Sequence, residues 1–134
     1  MSLFRSILLI DDDEIANHLH VQLINKHNIS REVFIQANGK EAFDFIRKRY
    51  YNGKSLPSLI ILDIDMPVQD GFGFLEQLLH SDLLAVKKIP VAILTNSARH
   101  EDMNRVKELG NFVYVTKPLS DENLLEMIEK TFSY

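Results

Sequence analysis

The chain has 134 residues, 46% of them hydrophobic and 25% charged, with a formal net charge of -4 and no cysteine. That length suits one domain with a full hydrophobic core, and the lack of cysteine removes disulfides, thiolate nucleophiles and Cys-ligated zinc together. The acidic balance gives no general attraction to nucleic acid. The first residues lack the apolar core of a secretory leader, and no apolar run approaches the roughly 18 residues of a membrane span. A cytoplasmic domain with a protein partner, no nucleic acid and no membrane insertion is expected.

Short apolar runs alternate with segments of helical period along the chain. A strand over 6–10 opens it. Ile15, Leu19 and Leu23, at four-residue spacing, then predict the apolar face of a helix over 14–27. A strand over 32–36 follows, and Asn38 with Glu41 three residues later has the form of a capping box, opening a second helix that carries Phe43, Ile46 and Tyr50. Residues 51–58 read as a surface loop. The run Leu59-Ile60-Ile61-Leu62-Asp63 predicts a strand covered on both faces, with a carboxylate at its end. Phe74, Leu75, Leu78 and Leu79 mark a helix over 72–80, and a strand over 90–95 comes next. Met103, Val106 and Leu109 mark a fourth helix over 99–109, stopped at Gly110. A strand over 112–116 precedes a last helix opened by Ser120, with Asp121 and Glu122 in its first turn and Leu124, Leu125, Ile128 and Phe132 facing inward.

Five strand and helix pairs in alternation predict an α/β fold, a (βα)5 doubly wound five-stranded parallel sheet. Right-handed crossovers place all strand C-termini on one edge, where ligands of such sheets collect. Four of these ends carry unusual polar residues: Asp11-Asp12-Asp13, Asp63, Thr95 and Lys117-Pro118. Converging carboxylates repel and raise one another's pKa, so the arrangement asks for a cation. Oxygen donors without His or Cys suit a hard ion, Mg2+ first and Mn2+ next.

Ile10-Asp11-Asp12, Leu62-Asp63-x-x-Met66-Pro67-x-x-Asp70-Gly71, Leu94-Thr95 and Thr116-Lys117-Pro118, in this order at strand ends, resemble the response-regulator receiver domain over essentially the whole chain. The resemblance implies a flavodoxin-like strand order 2-1-3-4-5 and a single receiver domain over 1–134 with no output domain. It implies that Asp63 accepts a phosphoryl group from a histidine kinase or histidine phosphotransfer protein, in a two-component or phosphorelay pathway. Asp12 would bind Mg2+ directly, Asp11 directly or through water, and the backbone carbonyl of Asp65 would complete the protein ligands. Lys117 would pair with Asp63 and then with the phosphoryl oxygens, and Thr95 would donate its hydroxyl to the same group. Thr95 and Tyr114 would form the switch, read by a downstream protein on the face of the fourth helix, fifth strand and last helix. Such a chain is a phosphoacceptor that assists its own phosphorylation and dephosphorylation, not a turnover enzyme. Asn96 stands where receivers usually have a small residue, and with Asp65 and Ser97 it is expected to tune the lifetime of the phosphoryl group.

Two readings from other classes stand beside this one. Leu62-Asp63-Ile64-Asp65-Met66 resembles the strand-Asp-x-Asp motif of haloacid-dehalogenase-type phosphohydrolases, with Asp63 as nucleophile. That motif normally follows the first strand, however, and here the acidic triplet precedes it. A phosphorylation-independent interaction module is the other, and the intact acid, Thr and Lys set argues against it. Taken singly, Asp13 reads as a helix starter, Tyr114 as a packing aromatic, Met66-Pro67 as a bend in the loop and Gly71 as a backbone conformation closed to other residues. His18, His20, His27, His80 and His100 read as surface or interface residues.

Overall fold

The computed structural model describes residues 2–64, 71–95, 104 and 112–132. Its strands are β1 (Phe4–Ile10), β2 (Ser30–Gln36), β3 (Leu59–Asp63), β4 (Val91–Thr95) and β5 (Val113–Thr116). They form one parallel sheet in the order β2-β1-β3-β4-β5. The helices are α1 (Glu14–Lys26), α2 (Gly39–Tyr51), α3 (Gly71–Leu79), the single turn α4 (Leu84–Lys87) and α5 (Asp121–Phe132). Of the helix expected over 99–109 only Asn104 is described, as helical, and its stop at Gly110 lies outside the described residues, as do Asp65, Met66, Pro67, Asn96 and Ser97.

Every residue of β3 and β4 is buried, because helices cover both faces of the sheet. Strand side chains alternate, so Leu8, Ile60 and Leu62 join one core with Phe74 and Leu75 of α3. Ile7, Leu9, Leu59 and Ile61 join a second core with Ile24 of α1 and Leu124 of α5. The chain turns from β1 to β2 on one side and reaches β3 on the other, so the order reverses at β1. That reversal opens a crevice at the C-terminal ends of β1 and β3.

The inward face of α1 differs from the expected one. Asn17, His20 and Ile24 are buried, whereas Ile15 is 74% exposed and Leu19 57% exposed. The spacing 17, 20, 24 is itself a helical stripe, nearly opposite residues 15 and 19. It contains two polar residues, which a search for apolar periodicity passes over. In α5, Leu124, Met127 and Ile128 are buried, while Leu125 and Phe132 are exposed, contrary to expectation. Phe132 instead stacks on Phe4, with ring centroids 5.4 Å apart. Tyr50 of α2 is also exposed and meets Tyr51 edge to face, while Ile46 is fully buried as expected.

Gly71 opens α3 for a steric reason, not for the unusual backbone expected of it. A Cβ there would stand 2.7 Å from Ile64 Cδ1 and 3.3 Å from the Asp63 carbonyl oxygen. The glycine lets the start of α3 lie directly against the end of β3.

Candidate functional site

The site begins where β1 ends. The Asp11 N–H donates to the Gln36 carbonyl over 3.1 Å, carrying the β1–β2 ladder one residue beyond the strand. The Asn17 side-chain amide donates to the Asp11 carbonyl over 2.9 Å. One polar residue of the buried α1 face is thereby accounted for: it satisfies a backbone acceptor that the turn would otherwise strand. Asp13 adopts an extended conformation, and its Oδ1 accepts from the N–H groups of Ile15 and Ala16, at 2.9 and 3.2 Å. It is the N-cap of α1, as its position in the sequence suggested.

Asp63 closes β3 opposite Leu94 of β4, and the Ile64 N–H donates to the Leu94 carbonyl over 3.0 Å. One residue further along β4, Thr95 is buried, and its carbonyl accepts from the Lys117 N–H at 2.8 Å. That bond holds the chain leaving β5 beside β4, so the lysine side chain turns over the sheet edge. Its Nζ reaches 2.8 Å from Asp63 Oδ1, with the two side chains 18% and 5% exposed.

Carboxylate oxygens of Asp11, Asp12 and Asp63 all lie within 4.8 Å of one another. Asp11 and Asp63 are buried and Asp12 faces solvent. Burial pushes the Asp11 carboxyl up from 3.8 to about 6. The Asp13 N–H on its Oδ1 works against this, the Asp63 charge adds to it, and Lys117 offsets part. Asp11 Oδ2 is buried and meets no hydrogen-bond donor among the described residues. Among the described residues, one ammonium thus faces three carboxylates, one of which has an unsatisfied oxygen. A hard divalent cation suits this all-oxygen donor set, and the residues present fit it.

Tyr114 stands apart from this cluster. It pairs with Ile93 across the β4–β5 ladder, is half-buried with its hydroxyl oxygen buried, and lines a groove with Asn123, Glu126, Met127 and Lys130. His20 corrects an expectation. It is only 7% exposed, so it is not a surface histidine, and it shares with Ala16, Leu19, Lys117, Pro118 and Leu119 a groove of about 310 Å³ at the rim of the acidic site. Burial and then the Lys117 charge lower its pKa, against the pull of Asp63 and Asp13. The signal that would have found it is its place three residues after Asn17 on one helical stripe.

A doubly wound sheet in this order, with an acidic pair after β1, an aspartate after β3 and a lysine after β5 meeting that aspartate, is the architecture of a phosphorylatable signalling domain. The chain belongs to the response regulator receiver domain family, whose model matches residues 7–129. It is 31% identical over 128 residues to the probable methanogenesis regulatory protein FilR2 of Methanothrix harundinacea, covering 96% of this chain and 81% of that one. It is 30% identical to the response regulator Rcp1 of Synechocystis, covering 96% of this chain and 86% of that one. A solved Mn2+-bound form of Rcp1 superimposes with a TM-score of 0.75 at 28% identity, over 97% of this chain and 93% of that one. The phosphorylated cyanobacterial phytochrome response regulator RcpA does so with a TM-score of 0.76 at 26% identity, over 94% and 89%. Membership of this family displaces the hydrolase reading. Among the described residues, no helix is long and apolar enough to cross a membrane.

Proposed function

We propose that Asp63 is the phosphoacceptor of a two-component or phosphorelay switch, receiving its phosphoryl group from a phosphohistidine donor with Mg2+ at the acidic cluster. The observation that carries this reading is the Lys117–Asp63 pair, 2.8 Å long and largely shielded from water, set beside the carboxylates of Asp11 and Asp12. In the transfer, an Asp63 carboxylate oxygen forms the new O–P bond as the donor's N–P bond breaks, and the donor imidazole leaves with the electron pair. Lys117 holds the attacking carboxylate in place and then serves the phosphoryl oxygens as a compact charge. Thr95, at the end of β4, donates its hydroxyl to the same oxygens. Magnesium, held by Asp11, Asp12 and Asp63 with the Asp65 carbonyl, would offset the negative charge gathered in an in-line displacement. The Mn2+-bound Rcp1 and phosphorylated RcpA support both halves of this assignment.

The donor needs a place to rest. Ile15 and Leu19 expose their side chains, and Leu19 borders the groove that shares Lys117 with the acidic site. Such an apolar rim suits a protein surface that presents its phosphohistidine to Asp63. Downstream, phosphorylation adds charge and acceptors at Asp63, Thr95 follows, and Tyr114 carries the change to the groove between β5 and α5. Asp65, Asn96 and Ser97 are the proposed tuners of lifetime. The chain acts as an acceptor that is charged and discharged, and not as an enzyme turning over an external substrate.

Incubation with Mg2+ and acetyl phosphate is expected to give a labile acyl phosphate that Asp63→Asn abolishes. Multiple turnover of small phosphate esters, or no modification from either acetyl phosphate or a phosphohistidine protein, would contradict the reading.

A further inference from the structure

We propose that His20 is a positioning residue of the phosphorylation site, coupling proton uptake by its imidazole to the charge carried on Asp63, with Lys117 between them. The proposal rests on Asp63 being the phosphoacceptor. Its basis is geometric. His20 projects from the buried stripe of α1 and shares a groove with Lys117, whose ammonium contacts Asp63. Asp63 has the strand parity of Leu59 and Ile61, which pack on the side that α1 and α5 cover.

The contrast with His27 is instructive. His27 Nε2 lies 2.6 Å from Asp121 Oδ1, a fixed carboxylate partner. His20 has no such partner among the described residues. The charges within its reach are Lys117, which opposes its protonation, and Asp63 and Asp13, which favour it, the last from the first turn of its own helix. Leu119, on the segment leading to α5, adds only apolar surface to the groove. Burial disfavours the charged ring first, and the balance between Lys117 and the acids then adjusts its protonation state.

A phosphoryl group on Asp63 replaces a single negative charge with about two, and draws the Lys117 ammonium toward its oxygens. The added negative charge favours the imidazolium. His20 then takes a proton from solvent, and no other bond at the ring is made or broken. By linkage, the protonated ring favours the phosphorylated state to the same extent that phosphorylation favours the proton. The equilibrium should therefore shift toward the phosphorylated or beryllofluoride-bound state at pH values below the His20 midpoint.

The test is an NMR titration of the histidine ring C–H signals in the intact chain, first with Mg2+ and then with Mg2+ and beryllofluoride. The His20 midpoint is expected to rise by on the order of one pH unit when beryllofluoride is added. Beryllofluoride binding is followed separately by the 19F signal. Binding with an unmoved His20 midpoint overturns the proposal alone; no binding overturns the phosphoacceptor reading and this proposal with it. A second arm measures beryllofluoride affinity from pH 5.5 to 8 in the wild type and in His20→Gln. A step in the wild type that is lost in the variant is expected, and the same step in both would overturn the coupling. The wild-type titration needs no variant to fold.

Discussion

The ammonium of Lys117 stands 2.8 Å from the carboxylate of Asp63, and the pair shares its corner of the sheet edge with two further carboxylates. The cation therefore balances only part of the charge around it. Such an imbalance costs stability and leaves the site ready for a divalent ion and a phosphoryl group. Removing a carboxylate and removing the ammonium should thus have opposite effects. In metal-free protein, Asp63→Asn is expected to stabilise the fold by about 1 kcal/mol or more, and Lys117→Met to destabilise it by about 2–4 kcal/mol. Urea unfolding in EDTA checks both, and Mg2+ should recover part of the loss in Lys117→Met.

The pH dependence follows from Asp11. Its folded pKa, about 6, lies above the 3.8 of the free group, so the folded protein binds more protons than the unfolded chain between these values. Stability from this group is present at pH 4 and declines as pH rises through 6. The full decline is about 1–3 kcal/mol. His20 acts in the opposite direction, because its lowered pKa makes the folded state bind fewer protons near pH 6.5. Asp121 is also lowered, by His27 and Lys26, and its stabilising effect is lost only as pH falls through its depressed folded pKa, below 3.8. Subtracting the unfolding free energy of Asp11→Asn from that of the wild type at each pH isolates the Asp11 contribution. The difference should move against the wild type between pH 4.5 and 7.

The exposed residues of α1 separate docking from chemistry. The double variant Ile15→Asp, Leu19→Asp should slow phosphoryl transfer from a phosphohistidine protein by about tenfold or more, since two charges are placed in an apolar contact. Transfer from acetyl phosphate should be unchanged. Both positions face water, so unfolding stability should shift by less than about 0.5 kcal/mol each. Equal slowing with both donors would place the effect at Asp63 and not at the rim.

Gly71→Ala tests how tightly α3 is set against the acceptor strand. The added methyl would meet Ile64 Cδ1 at 2.7 Å and crowd the Asp63 carbonyl. A loss of about 1–3 kcal/mol is expected by thermal or urea unfolding, partly relieved by Ile64→Val.

The strands were legible because their signal is simple. The run Leu59–Leu62 is apolar on both faces and ends in an acid, and β3 matches its expected bounds. The site was legible because Asp11, Asp12, Asp63, Thr95 and Lys117 are polar residues at the ends of such runs, where a parallel sheet gathers them. The face of α1 was not. Its buried stripe holds Asn17, which satisfies the Asp11 carbonyl, and His20, which faces Lys117, while Ile15 and Leu19 remain outside. Apolar periodicity finds the inward face only when that face has no second task. In α5 the error is of another kind, for Phe132 packs on the ring of Phe4 at the far end of the sheet and stays half open to water. Gly71 was expected to supply an unusual backbone conformation, but what requires the glycine is close contact with Ile64, which sequence does not reveal.

The most direct measurement is to trap the acyl phosphate chemically. Borohydride reduces an aspartyl phosphate to homoserine, which peptide mass spectrometry locates. After exposure to Mg2+ and a phosphohistidine donor or acetyl phosphate, homoserine is expected at position 63 and nowhere else. Homoserine at position 11 or 12, or a phosphorylated chain with aspartate intact at 63, would contradict the assignment of Asp63 as the acceptor.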